Sequence, residues 1–332
     1  LLRRCNTRSH SELGSQAFLR RWYFVLRHGR VGRCQANSMK KIIVVTGGAG
    51  FVGSNLINYF LKKTNYYIIS IDNYSSGKKI NHYKSIRVKY INSNTKNINK
   101  TLNKYKKKII SLFHFGEFSR IFQSFEKFDQ CYDSNLIGSN EVFKFCLQNK
   151  IKLIYSATSA SLGNSGNDQN LSPYAFTKSK NLELLENFKK WFGLKFEIIY
   201  FYNVYGPGQI KKGDMATVIG IFENQFENNK PLTVVKPGTQ TRRFTHIDDT
   251  VKVCFDAWIK NKCCHYSISH RKYYSIIEVA NMFKTKVKYL KPREGERFAS
   301  ALTEMSLNNK VIKKYGKISL KDYITSFKNS KK

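Results

Sequence analysis

The stretch Lys41–Gly53 reads KIIVVTGGAGFVG, and the fold follows from it. Its first half is an unbroken apolar run, as a strand buried on both faces requires. Its second half places Gly47, Gly50 and Gly53 at three-residue spacing. Phe51–Lys62 then carries Val52, Leu56, Ile57, Phe60 and Leu61 at helical spacing. A strand, a glycine turn and a helix in this order form the dinucleotide-binding context. One glycine makes the tight turn, a second lets the backbone approach a pyrophosphate, and a third lets helix and strand pack closely. The helix N-terminus offers N–H groups and positive dipole to the phosphates. Gly47, Gly50, Phe51, Val52 and Gly53 are thus the expected cofactor loop. Asp72 ends the next strand 19 residues past Gly53, beside Asn73. An acid there is placed to bind the adenosine ribose hydroxyls and to repel a 2′-phosphate, which favours NAD over NADP. The competing readings are a turn residue, or a phosphate site built from Lys78 and Lys79.

Outward from this unit, short apolar runs alternate with helical stretches. Tyr66–Ile71, Ile86–Ile91, Ile109–Phe113, Ile151–Ser156 and Leu194–Phe201 read as strands; Ser134–Asn149 and Pro173–Trp191 read as helices. Repeated β-α alternation predicts an α/β fold, a doubly wound parallel sheet over residues 39–202. Beyond Asn203 the alternation weakens. Residues 203–332 are expected to form mainly a smaller α+β substrate lobe, with helices at Ala216–Asn228, Asp248–Lys260, Ile276–Phe283 and Leu320–Lys328. Asn92–Lys108 is low in complexity and reads as a solvated connection.

The net charge is +36 over 332 residues, but it is spread along the chain. After Ser38, Lys outnumbers Arg by 43 to 7 amid abundant Asn, Ile and Tyr, the mark of a composition-wide bias. A solvated basic surface is therefore expected, not a nucleic-acid site. Residues 1–38 hold eight Arg and one acid, Glu12, and read as a leader outside the fold, either a targeting peptide or an upstream extension. The seven cysteines form no C-x-x-C pair, which argues against a metal module or disulfide scaffold and fits a reducing, cytoplasmic compartment. No apolar run is long enough to span a bilayer.

Tyr174-Ala175-Phe176-Thr177-Lys178 is a Y-x-x-x-K at a helix start, with phenol and ammonium on one face. A lysine near a phenol favours the phenolate, and a positive nicotinamide ring adds to this, giving a general base usable near neutral pH. Together with TGGAGFVGSN (Thr46–Asn55), HFGEFSR (His114–Arg120), YFYNVYGP (Tyr200–Pro207) and RRFTHIDD (Arg242–Asp249), this pattern resembles a known family. It is similar to the extended short-chain dehydrogenase/reductases, and within them to the NAD-dependent nucleotide-sugar epimerases and dehydratases related to UDP-glucose 4-epimerase. The resemblance covers about Lys40 to Lys328.

The resemblance implies roles residue by residue. Thr158 in Ser156-Ala157-Thr158-Ser159-Ala160 would hydrogen-bond the reacting sugar hydroxyl, with Ser156 and Ser159 as alternatives. Phe115 and Gly116 would pack along the cofactor. Where the 4-epimerases carry a lysine reaching the cofactor, this chain has Ser119 and Arg120. Asn203, Arg242 and Arg293 would hold the substrate diphosphate. His114, His246 and Asp249 read as structural. The implied activity is NAD-dependent epimerisation of a UDP-sugar at C4, with Tyr174 as base and Lys178 beside it. The rivals are a 4-keto-reductase, a dehydratase, a decarboxylase, and a non-catalytic basic binding protein on the same fold. Dehydratases follow the Thr with acids, and here Ser159 and Ala160 stand instead. The resemblance also implies a homodimer through Ser134–Asn149 and Pro173–Trp191, using Leu136, Val142, Phe143, Leu147, Leu182, Leu185 and Phe188.

Overall fold

The computed structural model describes residues 41–162, 170–292 and 311–331. The leader at 1–38 and Arg293 therefore lie outside the described residues. Among the described residues, eight strands form one parallel sheet: β1 (Ile42–Thr46), β2 (Tyr67–Asp72), β3 (Val88–Asn92), β4 (Ile109–His114), β5 (Lys152–Thr158), β6 (Phe196–Phe201), β11 (His265–Ser269) and β14 (Val311–Tyr315). Their order is β14-β11-β6-β5-β4-β1-β2-β3. The order reverses between β1 and β4, so their carboxyl ends open the crevice where doubly wound sheets bind ligands.

Side-chain alternation along the strands feeds two cores. On one face Ile43 and Val45 of β1 meet Leu56, Ile57 and Phe60 of α1 (Phe51–Lys63). On the other, Ile42 and Val44 share a core with Val142, Phe143 and Phe145 of a later helix, Ser139–Gln148, and Leu185 of the helix Pro173–Phe192. The expected connection Asn92–Lys108 is not wholly solvated. It contains α2 (Ile98–Leu102), whose Ile98 and Leu102 are fully buried in that second core. Their four-residue spacing is helical, and the surrounding Lys and Asn masked it. Three helices follow: α3 (Gln123–Glu126), α4 (Phe128–Tyr132) and α5 (Ser139–Gln148), with a π-helical turn, Asp133–Gly138, leading into α5. Then comes α6 (Pro173–Phe192).

Residues beyond Asn203 divide between two layers. The strands β11 and β14 return to the main sheet, and α8 (Ile247–Lys260) packs its Val251, Cys254 and Ala257 in the same core as α1. The remainder is a small lobe. It joins β8 (Leu232–Val235) to β13 (Val287–Leu290), and β9 (Thr241–Arg243) to β12 (Tyr273–Ser275), while the two-residue strands β7 (Val204–Tyr205) and β10 (Thr245–His246) pair with each other. Its own core draws on α7 (Val218–Glu227), α9 (Ile276–Met282) and α10 (Leu320–Asn329) through Phe222, Val279 and Ile324. No helix among the described residues is long and apolar enough to cross a membrane.

Candidate active site

At the crevice, Thr46 ends β1 and His114 ends β4, paired in register. The Thr46 hydroxyl oxygen accepts from the backbone N–H of Phe115 and of Gly116, at 3.1 and 3.0 Å. Its own proton is then left for His114 Nδ1, 2.8 Å away. With Nδ1 assigned as acceptor, His114 Nε2–H donates to Ser139 Oγ at 2.9 Å. Ser139 Oγ in turn donates to Glu117 Oε1 at 3.0 Å. Burial pushes the His114 imidazolium down to about 4, so the ring is neutral at ordinary pH. His114 is thus a structural histidine that fixes the loop after β4.

The glycine loop is built for close approach. Gly47 has φ +69°, and a Cβ there would meet Phe115 O at 2.7 Å. A Cβ on Gly53 would meet Gly47 O at 2.2 Å, so helix α1 and the turn touch backbone to backbone. At Gly50, among the described residues, such a Cβ would meet only Gly47 O, at 3.1 Å, and Gly50 lines the cleft. Helix α1 has neither a side-chain cap nor an acid in its first turn, so its leading N–H groups and positive end carry no competing carboxylate of their own helix. Asp72 closes the arrangement: its carboxylate accepts from Ala49 N–H at 2.9 Å and Tyr74 N–H at 2.8 Å. Burial pushes its pKa upward against those bonds. Asp72 and Asn73 line the cleft, while Lys78 and Lys79 do not. This cradle fits the pyrophosphate and ribose of NAD.

One cleft of about 770 Å³ gathers Gly47, Gly50, Phe51, Val52, Gly53, Asp72, Asn73, Phe115, Gly116, Thr158, Tyr174, Lys178, Asn203 and Arg242. Tyr174 enters it from the start of α6, where Ser172 caps the helix by accepting from Ala175 N–H at 3.1 Å and Pro173 opens the first turn. Of the three candidates in the loop after β5, Thr158 is the one whose side chain favours the Tyr174 phenolate, and both residues line the cleft. Ser156 Oγ is instead turned to His114 O at 3.0 Å.

Lys178 departs from the expected arrangement. Its Nζ lies 2.5 Å from Glu117 Oε2, donates also to Ser156 O, and sits 4.3 Å over the Tyr155 ring. The two side chains of this ion pair are 4% and 3% exposed. Glu117 Oε1 further accepts from Tyr155 Oη at 2.9 Å and Asn181 Nδ2 at 3.2 Å, besides Ser139. Burial pushes the Lys178 pKa down, and the Glu117 carboxylate beside it opposes that shift. In this setting Tyr174 is not lowered as its motif suggests. Burial is the largest influence on it, and the phenol is pushed up to about 12. Glu117 stands within HFGEFSR, where nothing in the motif marks it; its burial against Lys178 reveals its role.

On the lobe side, Asn203 stands at φ +32°, with its Nδ2 donating to Arg243 O at 2.9 Å. Arg242 reaches the cleft from β9, its Nη1 donating to Thr241 O at 2.8 Å. His246 caps α8, and Asp249 accepts from Lys317 and Ile318 N–H, so both bind structure together.

Residues 43–262, the greater part of the chain, match the family described as NAD dependent epimerase/dehydratase family. A Methanocaldococcus jannaschii protein named "Putative UDP-glucose 4-epimerase" is 28% identical over 273 residues, which cover 77% of this chain and 87% of its own. UDP-glucose 4-epimerase of Thermotoga maritima, solved with UDP-glucose, has a TM-score of 0.76 at 22% identity, covering 88% of this chain and 100% of its own. UDP-N-acetylglucosamine 4-epimerase of Methanobrevibacter ruminantium M1, solved with UDP-N-acetylmuramic acid, gives 0.72 at 25% identity, with 86% and 92% covered. The two structures share this fold, and the sequence match runs from β1 through α8. The chain belongs to the NAD dependent epimerase/dehydratase family and is an NAD-dependent enzyme.

Proposed function

We propose that the enzyme inverts C4 of a UDP-sugar. The observation that carries this reading is one cleft that brings Tyr174 and Thr158 together with the glycine loop, Asn203 and Arg242. The 4-epimerase names of its relatives support the substrate class. Thr158 holds the C4 oxygen beside the phenol, and Tyr174 takes the hydroxyl proton as the carbinol is oxidised. NAD, when bound, supplies the hydride acceptor and returns the hydride. Arg242 and Asn203, with Arg293, anchor the diphosphate while the 4-keto sugar turns its other face inward. Tyr174 then gives the proton back to the C4 oxygen. Anchoring a remote group so that the reacting ring can move makes distant binding serve the chemistry.

The described acids of the cleft disfavour dehydration, which needs an acid and a base near C5 and C6. Asp72 is held by backbone N–H groups, Glu117 by Lys178, and Asp214 by Lys127 at 2.9 Å. The test is incubation of the NAD-loaded protein with UDP-glucose or UDP-galactose labelled with deuterium at C4. Interconversion with the label retained at C4 is the expected result. A 4-keto-6-deoxy product would make the enzyme a dehydratase, and consumption of stoichiometric reduced cofactor would make it a reductase. Catalysis is proposed to occur in a cytoplasmic homodimer.

A further inference from the structure

Tyr174 marks the reacting end of the cleft, and one segment of the loop after β4 is built against it. Phe118 and Ile121 share a hydrophobic cluster with Tyr174 and Ala160, and Ser124 Oγ accepts from Tyr174 N–H at 3.2 Å. Asn135 pins the same segment, accepting from Phe118 N–H at 2.7 Å and donating to Phe118 O at 3.1 Å. Between Phe118 and Ile121 stand Ser119 and the partly buried Arg120, and both line the cleft. Arg120 reaches across to the loop before α7: its Nε and Nη2 donate to Met215 O, the former at 3.1 Å, and its Nη1 donates to Ser119 O at 2.8 Å. Two carbonyls thus occupy three of its five N–H groups, and one N–H remains on each of Nη1 and Nη2. Those two nitrogens form the fork that takes a carboxylate in bidentate fashion. Among the described residues no carboxylate pairs with Arg120. Of the cleft acids, Glu117 is held by Lys178 and Asp214 by Lys127, and Asp72 accepts from Ala49 and Tyr74 at the other end.

We propose that Arg120 reads a carboxylate on the sugar ring, so that the preferred substrate is a UDP-hexuronic acid. A guanidinium fixed in a cleft wall by carbonyls, with no counter-ion of its own, complements an anion that arrives with the ligand. The other anions of the bound state have their own partners. The cofactor pyrophosphate has the glycine loop and the start of α1, and the substrate diphosphate has Asn203 and Arg242 on the lobe side. The anion left for Arg120 belongs to the sugar. On a hexose the carbon that can be oxidised to a carboxylate without opening the ring is C6, attached to C5 next to the reacting C4. That places it on the side of Tyr174 where the Phe118–Ile121 segment lies. The ring turns between the two hydride transfers, so the carboxylate meets the guanidinium in one of its two orientations, and the two C4 epimers depend on Arg120 unequally. Arg120 is a specificity residue: it keeps its protons and takes no part in the proton transfer.

The inference rests on the proposed epimerase reading for the place of the sugar beside Tyr174, so its first test is binding alone. Calorimetry on the NAD-loaded Tyr174→Phe protein compares UDP-glucuronate and UDP-galacturonate with UDP-glucose and UDP-galactose. At least one uronate should bind about tenfold or more tightly than its neutral counterpart, the scale of hydrogen bonds to a charged group. Adding Arg120→Met should remove most of that advantage, and Arg120→Lys, which keeps the charge and loses the fork, should retain part of it. Equal affinities for acid and neutral sugars overturn the proposal before any Arg120 variant is made. An advantage that survives Arg120→Met also overturns it. So does a variant that weakens all four ligands alike, since that marks an arginine serving only to hold Met215. If Arg120→Met fails to fold, an undiminished advantage in Arg120→Lys overturns it instead. Turnover then separates the two readings. A uronate that binds through Arg120 but leaves as a UDP-pentose and CO2 keeps this inference and sinks the epimerase reading. Inversion of the neutral sugars at C4 with no preference for a uronate does the reverse.

Discussion

Tyr174 and Thr158 line one cleft, while the motif partner Lys178 is turned toward Glu117. Replacing Tyr174 by Phe removes the proposed proton acceptor and keeps the ring. Epimerisation should fall by about 10²–10⁴-fold, with NAD and nucleotide-sugar affinity nearly unchanged by calorimetry. Near-normal turnover would make Tyr174 a packing residue. At the other end of the cleft, Asp72→Ala should narrow the preference for NAD over NADP in a titration of apo-protein. It removes the carboxylate that a 2′-phosphate would face. A preference that stays unchanged would place the discrimination elsewhere. These residues were legible in the sequence because each sits in a spaced motif tied to a strand end. The pairing of Glu117 was not, since a charged residue in a loop reads as solvated until its burial is known.

Among the elements, the end of β4 is where sequence and environment diverge most. His114 has a free-chain pKa of 6.5 and is lowered to about 4 in the fold by complete burial. A neutral buried histidine contributes its stability above pH 6.5, and that stability is lost as pH falls toward 4, where the folded state can also take the proton. The loss should reach about 3 kcal/mol at most. Urea unfolding at stepped pH should show this slope, and His114→Asn should flatten it; identical slopes in both proteins would contradict it. Helix α6 offers a second check. Ser172→Ala removes the cap that sets the first turn under Tyr174, at about 1 kcal/mol, read from the urea midpoint. The parallel strands and α1 were readable from apolar runs. The π-helical turn Asp133–Gly138 and the helix α2 were not: one depends on Asn135 reaching Phe118, the other on two isoleucine/leucine positions inside a Lys-Asn stretch.

For the molecule as a whole, the proposed dimer must bury an apolar face, and the structure moves that face. Val142, Phe143, Leu185 and Phe188, expected at the interface, lie in the chain's own core, and Leu147 and Leu182 pack against it. The same helical layer instead exposes Phe128 (48%) and Tyr132 (41%) of α4, Ile137 (46%) of the π-helical turn and Phe176 (37%) of α6. The α4 helix and the π-helical turn both pack on α6, so these side chains form a candidate two-fold patch. Light scattering at micromolar protein should give twice 38.6 kDa. Ile137→Asp should halve that mass while leaving the thermal midpoint of the fold nearly unchanged. A monomeric wild type would refute the dimer, and a dimeric Ile137→Asp would move its interface to another face. The salt dependence follows from the net charge of +36 on each chain. Two such chains repel, and added salt screens that repulsion while leaving apolar contact intact. Association through this patch should therefore tighten as ionic strength rises, whereas an interface held by ion pairs would loosen.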